Sequence, residues 1–523
     1  MFLPFYFLAY QQHPYPIMKQ LEVYLRKVFT VDLRALAFMR IWVAGIILTD
    51  LAIRSTDLEA HYSNTGVLPL HVLHRFAWNP YFFSLHSLSG LWQVQAVLFI
   101  VAAVFAVFLL VGYKTRLATV VSWTLLVSLQ NRNTLISQGG DDLLRMLLFW
   151  AIFLPWGKFY SYDATKAKPE NELQSTNYFS AATVAYIMQI FLVYFCTALL
   201  KNSPEWNSEG TALYYALSLD QILMPGGELI YPYPELLRFL TLTTWYTELI
   251  IPFLLLIPFY NSFFRMVVVS VLLMFHIGIS LTLFVGLFYL INIASVAGLL
   301  PPKVMDWIDK RLLASFRRPK TGQFKRIFQR FKSPATVNFQ LQIHRPLISA
   351  PLKRQLRDVF VASVLLYCFW WNLTGAGVKN IPKLPDNARW AGYLLRVDQH
   401  WGMFSPVVFK DDGWYVLEGH TEDGKMLDLN QQGKEADYIK PASVMALFKN
   451  DRWRKYSENY LFVHNSFMRP YYCNYLVRRW NESHPDQPVK ELQVVYMKEP
   501  SLPDYQVAEP TREMLCACAN LPE

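Results

Sequence analysis

Long apolar runs separated by short polar segments fill most of the chain up to residue 373. A helix that crosses a bilayer needs about twenty largely apolar residues, and nine stretches reach or approach that length. The stretch 264–300 is too long for one helix, and we divide it near Phe284-Val285-Gly286. The stretches 116–130 and 142–157 are short. For these two, a tilted or re-entrant helix is the alternative to a full crossing. The predicted spans are 35–53, 91–112, 116–130, 142–157, 179–200, 237–258, 264–282, 284–300 and 357–373.

The last part of the chain, 380–523, has the pattern of a water-exposed domain. WYVLE at 414–418 and MLDL at 426–429 flank a Glu-Asp-Gly turn, which predicts a β-hairpin. The segment 441–481 is helical in pattern, and KELQVVYM at 490–497 alternates as a strand does. The predicted fold class is therefore an all-α polytopic membrane bundle of eight or nine spans with a C-terminal extracytoplasmic α+β domain.

Composition and charge agree with a membrane protein. Hydrophobic residues make up 53% of the chain and charged residues 17%, against about a quarter charged in soluble proteins. The net charge of +10 has a local source, because 303–357 holds fourteen Lys and Arg against Asp306 and Asp309. A basic loop between apolar spans indicates the cytoplasmic side of the membrane. We therefore predict the lipid bilayer as a partner and no nucleic acid.

The charge distribution also predicts an orientation. With the N-terminus inside, nine spans place every basic connection in the cytoplasm and the acidic segment 202–236 outside. The N-terminus lacks the basic region and cleavage site of a signal peptide. An alternative is that translation starts at Met18 and that 1–17 results from an upstream start codon. We expect a multi-pass protein of the cell (inner) membrane. Its predicted parts are a cytoplasmic segment 1–30, a transmembrane bundle 31–300, a basic cytoplasmic loop 301–356, a last span 357–373 and the extracytoplasmic domain 380–523.

Cysteine spacing offers no sign of a metal. The five cysteines form no CxxC pair and no metal-type spacing with histidine, so we predict no metal site. Cys196 and Cys368 lie in apolar spans as packing residues. The CAC at 516–518 is open to oxidation.

Two ionisable residues lie in the middle of predicted spans, where charge is costly and function is a common reason for it. Glu248 is at the centre of LLRFLTLTTWYTELIIPFLLLIP. The alternative to a functional role is a structural carboxyl, neutral or paired with a buried base such as Arg145. His276 lies in VLLMFHIGISLTLF, where it is either a structural or a proton-handling histidine.

Three charged residues open the fourth predicted span in ISQGGDDLLRMLLFW. Asp141 and Arg145 are four residues apart and share a helix face, and acids are favourable at a helix N-terminus. We predict that Asp141, Asp142 and Arg145 form a structural network at the outer mouth of the bundle. Arg40, near the inner end of the first span, is predicted to extend to the membrane interface.

Lys201 ends the fifth predicted span, with Tyr194 and Thr197 on the same helix face. A lysine at a helix C-terminus commonly anchors the helix at the membrane surface and complements the helix dipole. A catalytic lysine needs burial or a neighbouring cation to lower its pKa. Residue type alone favours the anchor.

Several segments resemble bacterial proteins of the HTTM (horizontally transferred transmembrane) family, which includes the vitamin K-dependent γ-carboxylase. The segments are VDLRALAFMRIWVAGIILTDLAIRSTDLEAHYSNTGVLP, LVGYKTRLATVVSWTLLVSLQNRN and GGDDLLRMLLFW. The resemblance covers about residues 30–300 and, more loosely, the C-terminal domain, where QHWGMFSP and the following hairpin are similar to the family.

The resemblance assigns roles to residues of this chain. In VYFCTALLKNSPEW, Lys201 precedes Trp206 by five residues, as does the carboxylase lysine implicated in deprotonating vitamin K hydroquinone. In that family the deprotonated quinol reacts with oxygen to give a stronger base, which takes the γ-proton of a glutamate before CO₂ adds. His276 matches a family histidine and Glu248 lies near an acidic position, so both are predicted to support protonation. The resemblance thus implies a carboxylase-like lyase with Lys201, His276 and Glu248 as catalytic residues. Supporting residues would be Asp141, Asp142, Arg145, Tyr194 and Trp206, the cofactor a reduced quinone of the vitamin K type, and the substrate a secreted peptide.

One departure leaves the function open. The carboxylase has an Asn-Asn-His motif where this chain reads SQGGDDLLR, without a histidine. The alternative is a non-catalytic membrane protein that binds a lipid or quinone, or that assists export or immunity of a secreted peptide, as proteins of the sporulation-delaying protein B kind are thought to do. A quinone-linked oxidoreductase subunit is a third alternative, although the chain has no CxxC, haem or flavin motif to support it.

Overall fold

The computed structural model describes residues 16–166, 175–313 and 350–519. Within these ranges the chain forms a helical bundle followed by a mixed α/β region at the C-terminus. Most of the predicted basic loop and the N-terminal 1–15 lie outside the described residues.

Among the described residues, a series of helices builds the bundle and the C-terminal helical layer. Proline opens several of them, where its missing N–H costs no hydrogen bond. The helices are α1 (Pro16–Phe29), α2 (Leu33–Ser55), α3 (Trp92–Val111), α4 (Thr115–Arg132), α5 (Gly139–Ala151), α6 (Ala181–Leu200), α7 (Pro234–Ile250), α8 (Asn261–Thr282), α9 (Phe288–Ala297), α10 (Pro302–Ile308), α11 (Ala350–Gly375), α12 (Asp451–Leu461) and α13 (Arg469–Ser483). Shorter α-helices are Leu58–Tyr62, Leu70–Val72, Tyr162–Lys166, Pro204–Asn207, Ala212–Leu217, Pro225–Ile230 and Arg389–Leu395.

Each of the nine predicted spans coincides with a helix of the bundle. Among the described residues, six helices are long and apolar enough to cross a membrane, namely α2, α3, α6, α7 with its 3₁₀ extension to Leu256, α8 and α11. A seventh is possible if α9 and the segment Pro302–Arg311, which meet at 107°, count as one bent span. α4 and α5 do not meet the same criteria. At 1.5 Å per residue, the 13 residues of α5 extend only about 20 Å.

The predicted division of 264–300 is confirmed. α8 ends at Thr282, and α9 begins at Phe288. Gly286 between them has a φ of 58°, a left-handed conformation that glycine adopts at no steric cost. This break turns the chain back into the bundle, so that α8 and α9 contribute neighbouring side chains to its interior.

The C-terminal region contains an antiparallel sheet. The small sheet of β1 (Val31–Asp32) and β2 (Asn177–Tyr178) precedes it in the chain. The larger sheet has the order β5-β4-β3-β6-β7, and the predicted hairpin and the strand over 490–497 are confirmed. Its strands are β3 (Asp411–Thr421), β4 (Met426–Asp428), β5 (Lys434–Glu435), β6 (Val489–Pro500) and β7 (Thr511–Ala519).

A disulfide joins Cys473 of α13 to Cys518 of β7. It ties the helical layer to the last strand of the sheet across 45 residues of sequence. Cys516 remains a free, half-buried thiol. The CAC sequence therefore contributes one of its two cysteines to a crosslink that spacing along the chain did not indicate.

Four buried charges connect the bundle to the C-terminal region. Arg54 of α2 binds Asp50 and Asp141, each at 2.8 Å. Arg452 of α12 binds the same two carboxylates, Asp50 at 2.7 Å and Asp141 at 2.5 Å. All four residues are at most 5% exposed. Two guanidinium groups and two carboxylates thus neutralise each other where α2, α5 and α12 meet.

Asp141, Asp142 and Arg145, predicted to form one structural network, divide their ion pairs between two sets of partners. Asp141 pairs with Arg54 and Arg452 rather than with Arg145, which instead binds Asp142 at 2.9 Å. Arg145 also donates to the carbonyls of Arg396 and Asp398 at 2.9 and 2.6 Å. The two carbonyls lie close together, so one guanidinium group binds both.

Arg40 does not extend to an interface. It is fully buried and donates to the carbonyls of Leu109 and Tyr160 at 2.7 and 2.5 Å. Carbonyls inside the protein, one of them in the last turn of α3, therefore take the place that water or headgroups would have at an interface.

Replacing Arg452 with methionine tests the buried cluster. Asp50 and Asp141 would then share a single arginine, and we expect the free energy of unfolding to fall by about 3–5 kcal/mol. Chemical denaturation of the purified protein in detergent measures this change. Arg479→Met is the matched control, because Arg479 is 53% exposed and pairs with Glu482 at the surface, where an ion pair contributes about 0–1 kcal/mol. Equal effects of the two substitutions would contradict the structural role of the cluster.

Candidate functional site

Lys201 is positioned by the end of α6 and the short helix that follows. Its backbone N–H donates to the carbonyl of Thr197 at 3.2 Å, which closes the last turn. Pro204 opens the helix Pro204–Asn207 and returns the chain toward the bundle. Trp206 is thereby placed with its ring centroid 4.2 Å from Lys201 Nζ, a cation–π contact. The Trp206 indole N–H donates to the carbonyl of Phe404 at 2.8 Å, which fixes the ring.

The Lys201 ammonium is paired with Glu248 of α7. Nζ donates to Oε1 at 2.8 Å and to Oε2 at 2.7 Å, and each residue is 4% exposed. A lysine enclosed in this way cannot reach lipid headgroups, so its interpretation as a surface anchor is wrong. The suggestion that Arg145 pairs with Glu248 is also wrong, because Lys201 occupies that place.

A second polar group lies on α6, α8 and α9. Tyr194 Oη is 2.8 Å from His276 Nε2 and 3.3 Å from Asn292 Oδ1. Asn292 is fully buried, and its Nδ2 donates to the carbonyl of Phe288 at 2.8 Å. This bond orients the Asn292 amide so that Oδ1 faces Tyr194.

The hydrogen bonds assign the proton on His276. Because Asn292 Oδ1 can only accept, Tyr194 donates its hydroxyl hydrogen to it. With that hydrogen on Asn292, the Tyr194 oxygen accepts from His276, which corresponds to the tautomer with the imidazole proton on Nε2. His276 Nδ1 consequently carries a lone pair, and it has no hydrogen-bond partner among the described residues. This nitrogen is available to accept a proton or a hydrogen bond.

Both polar groups line a cavity of about 1060 Å³. Its inner walls are mostly apolar and come from α6, α7, α8 and α9, with small hydroxyl side chains of Thr243, Thr244 and Thr247 on α7. The cavity continues between the bundle and the C-terminal region, where His400, Met403 and Phe404 also line it. It therefore joins an apolar interior to a polar outer part.

The outer part of the cavity carries polar and charged side chains. Asp142 and Gln138 come from the start of α5, and Arg454, Lys455 and Glu458 come from α12. Arg454 and Lys455 bind Glu458 at 3.0 and 2.6 Å. Burial acts to raise the pKa of Glu458, but these two cations outweigh it and hold the pKa below its usual range. Charged groups thus remain ionised at the outer part of an otherwise apolar space.

The structure brings together most of the residues predicted for the site. Lys201, Glu248, His276, Tyr194 and Trp206 all line the cavity, as does Asp142. Asp141 and Arg145 are not among the lining residues and belong to the buried charge networks described above.

Sequence reasoning missed Asn292 and the contribution of α12. Asn292 was detectable as a polar residue inside the apolar run FYLINIAS. Arg454, Lys455 and Glu458 gave no such signal, because charged residues on a water-exposed helix are ordinary. Only the docking of α12 on the bundle places them at the cavity.

The arrangement can exchange protons with a ligand whose polar end lies near Lys201 and Glu248. The ammonium and the carboxylate are within hydrogen-bond distance, so a proton can pass between Nζ and Oε. The apolar walls accommodate a hydrocarbon chain, and cavities of about 300–1000 Å³ are typical of small-molecule sites. A membrane-soluble amphiphile therefore fits the site in size and polarity.

A double-mutant cycle tests the buried pair. We expect Lys201→Met and Glu248→Gln each to lower the free energy of unfolding by about 3 kcal/mol or more, because each leaves the partner's charge buried without a counterion. The double variant has neither charge and should be more stable than the sum of the two losses predicts. Denaturation in detergent gives all four values.

The matched control is the exposed pair Lys425 and Asp423, whose side chains are 65% and 55% exposed. Its coupling should be much weaker than that of the buried pair, because water screens the two exposed charges. Strictly additive losses at Lys201 and Glu248 would contradict a direct interaction between them.

The comparisons with known proteins give no relative from which function can be transferred. The chain matches no family model, no curated protein and no solved structure. The resemblance to HTTM proteins thus remains a prediction from the motifs quoted above. The geometry of the cavity is the independent basis for a functional proposal.

Proposed function

We propose that this chain is a multi-pass membrane protein that binds a quinol-type amphiphile and acts as a carboxylase-like enzyme on an extracytoplasmic peptide. The observation that carries the proposal is the Lys201–Glu248 pair, buried at the wall of a large, mostly apolar cavity. A buried ion pair is a costly way to stabilise a fold. Its position on a cavity gives it a chemical use.

The residues present fit a reduced quinone of the vitamin K type. The apolar walls would hold its hydrocarbon chain, and the Lys201–Glu248 pair and His276 Nδ1 would face its hydroxyl groups. His276 Nδ1 is a buried atom without a partner, as expected of a group that awaits a ligand. When bound, such a quinol would supply the two electrons that reduce oxygen during carboxylation.

In this proposal Lys201 and Glu248 work as one proton-exchanging unit. Lys201 accepts a proton only as a neutral amine, and Glu248 makes that form accessible by taking the proton from Nζ over 2.7 Å. The amine then accepts a proton from a ligand hydroxyl. Trp206 stabilises the resulting ammonium through its ring.

A second candidate function is binding without turnover. Two short hydrogen bonds from Lys201 to Glu248 favour the charged lysine, which is not a base. In addition, α5 provides no histidine, and the histidines among the lining residues are His276 and His400. These observations favour a protein that holds a lipid or quinone, or that assists export or immunity of a secreted peptide.

Mass spectrometry of lipids that co-purify with the protein tests the ligand. We expect an isoprenoid quinone at near-stoichiometric amount in the wild-type protein. Thr247→Trp should reduce it about tenfold or more, because the indole would fill the space beside Glu248. Val107→Trp, on the exposed side of α3 at 43% exposure, is the matched control and should retain the quinone. No isoprenoid in any preparation would contradict the quinol proposal.

The same preparations separate the two functions. Wild-type protein supplied with vitamin K hydroquinone, oxygen and labelled CO₂ should carboxylate a glutamate-containing peptide, and Lys201→Ala should not. Quinone binding without carboxylation by the wild type would favour the second function. Undiminished turnover in Lys201→Ala would exclude Lys201 as the base.

We further propose the orientation predicted from charge, with eight or nine spans and the N-terminus in the cytoplasm. The contacts of the bundle separate into two ends. At one end, Arg34 binds Asp306 at 2.7 Å and Arg265 binds the carbonyl of Val28 at 2.6 Å. This end contains the connections predicted to be cytoplasmic.

At the other end, the C-terminal region contacts the helix termini predicted to lie outside. Lys449 binds Asp57 at 2.8 Å after the end of α2, and Gln138 binds Asp451 at 2.8 Å before the start of α5. The Cys473–Cys518 disulfide supports an oxidising compartment for this region.

Labelling of introduced cysteines tests the orientation. A membrane-impermeant maleimide should modify Glu509→Cys in intact cells, because Glu509 is exposed in the C-terminal region. Arg116→Cys, exposed at the start of α4, should react only after permeabilisation. The unsubstituted protein gives the background from native thiols, and the reverse labelling pattern would contradict the proposed orientation.

A further inference from the structure

Three carboxylates from distant parts of the chain meet outside the candidate spans. Asp220 lies in the segment that precedes α7, Asp412 on β3 and Glu499 on β6. Asp412 and Glu499 are directly opposite each other in the antiparallel sheet. One oxygen of each of the three carboxylates lies within 4.8 Å of the others. The cluster therefore lies where the larger sheet contacts the segment that precedes α7.

Asp412 has an oxygen that the described protein leaves without a partner. The residue is 2% exposed, and its Oδ2 accepts from the backbone N–H of Asp220 at 3.0 Å. Its Oδ1 has no hydrogen-bond partner within the described ranges. A buried carboxylate oxygen without a partner is costly, so this atom favours a ligand that the described residues do not supply.

Lys440 compensates only part of the negative charge. Its ammonium contacts Asp220 and Glu499, and the side chain is 39% exposed. One lysine among three carboxylates leaves the cluster short of positive charge. Because its stem is flexible and reaches solvent, the ammonium can leave without a change in the backbone.

We propose that Asp220, Asp412 and Glu499 form a Ca²⁺ site, with Lys440 displaced toward solvent when the cation binds. All three offer oxygen ligands, which hard cations such as Ca²⁺ prefer, and no nitrogen or sulfur ligand is part of the group. Water completes the coordination on the solvent side. The cation neutralises the cluster and links the segment before α7 to the sheet. This inference is independent of the quinol proposal, because it concerns residues outside the bundle cavity's Lys201–Glu248 pair.

Terbium luminescence tests the site. Tb³⁺ replaces Ca²⁺ at carboxylate sites and emits when a nearby tryptophan is excited, and the Trp414 ring is 6.0 Å from Lys440 Nζ. Detergent-solubilised protein should show saturable Tb³⁺ emission that Ca²⁺ reverses. Calcium should also raise the thermal unfolding midpoint, because it binds the folded state only.

Substitutions of the ligands and of Lys440 should change the Ca²⁺ affinity in opposite directions. Asp412→Asn and Glu499→Gln should each weaken Ca²⁺ displacement of Tb³⁺ about tenfold or more, since each removes a charged ligand. Lys440→Met should strengthen it, because the competing ammonium is gone. Asp423→Asn is the control on the same sheet, with a side chain 55% exposed and paired with Lys425, and should leave the affinity unchanged.

Two results would overturn the proposal. The first is the absence of saturable emission in both the wild type and Lys440→Met, which would show that the carboxylates bind no cation even without the competing ammonium. The second is emission that Asp412→Asn and Glu499→Gln leave unaltered, which would place Tb³⁺ elsewhere. Size-exclusion profiles and the unfolding midpoint show whether each variant is folded. Because there are two ligand variants, the test does not depend on the folding of either one alone.

Discussion

Charges that are withdrawn from water need a counterion or hydrogen-bond acceptors within the protein, and this constraint organises the structure. In an apolar bundle an isolated carboxylate or guanidinium is too costly to persist. Arg54 and Arg452 share Asp50 and Asp141, and Lys201 is paired with Glu248. Each pair joins helices that are distant in sequence, so charge neutralisation also specifies which helices are neighbours.

The same constraint attaches the C-terminal region to the bundle. Arg452 is the member of the buried cluster that belongs to α12, and its position also brings Arg454, Lys455 and Glu458 to the cavity. The cavity is consequently enclosed by parts of the chain that sequence composition assigns to different environments. A ligand within it would meet apolar walls in the bundle and ionised groups where α12 approaches.

The pairing of Lys201 with Glu248 and the proposed role of Lys201 as a base make opposite demands on the protonation of the lysine. Close pairing with Glu248 stabilises the Lys201 ammonium, whereas a base must be neutral. In the proposed function a shared proton between the two groups would reconcile these demands, because the carboxylate would take the proton from the lysine. Tyr194, Asn292 and His276 form a separate hydrogen-bonded group. In it the Asn292 amide, held by the Phe288 carbonyl, accepts from Tyr194, and Tyr194 contacts His276.

Sequence alone determined the helices, the hairpin and the residue types of the site. Apolar runs located nine helices because a bilayer or a buried core requires continuous hydrophobicity, and the Gly286 break was visible for the same reason. Lys201, Glu248 and His276 stood out because charge is rare in such runs. Only the tertiary structure decided their partners. Glu248 faces Lys201 rather than Arg145, Cys473 joins Cys518, and Asp412 meets Asp220 and Glu499. Pairing depends on which side chains converge in space, and a hydrophobic pattern along the chain carries no information about distances between residues far apart in sequence.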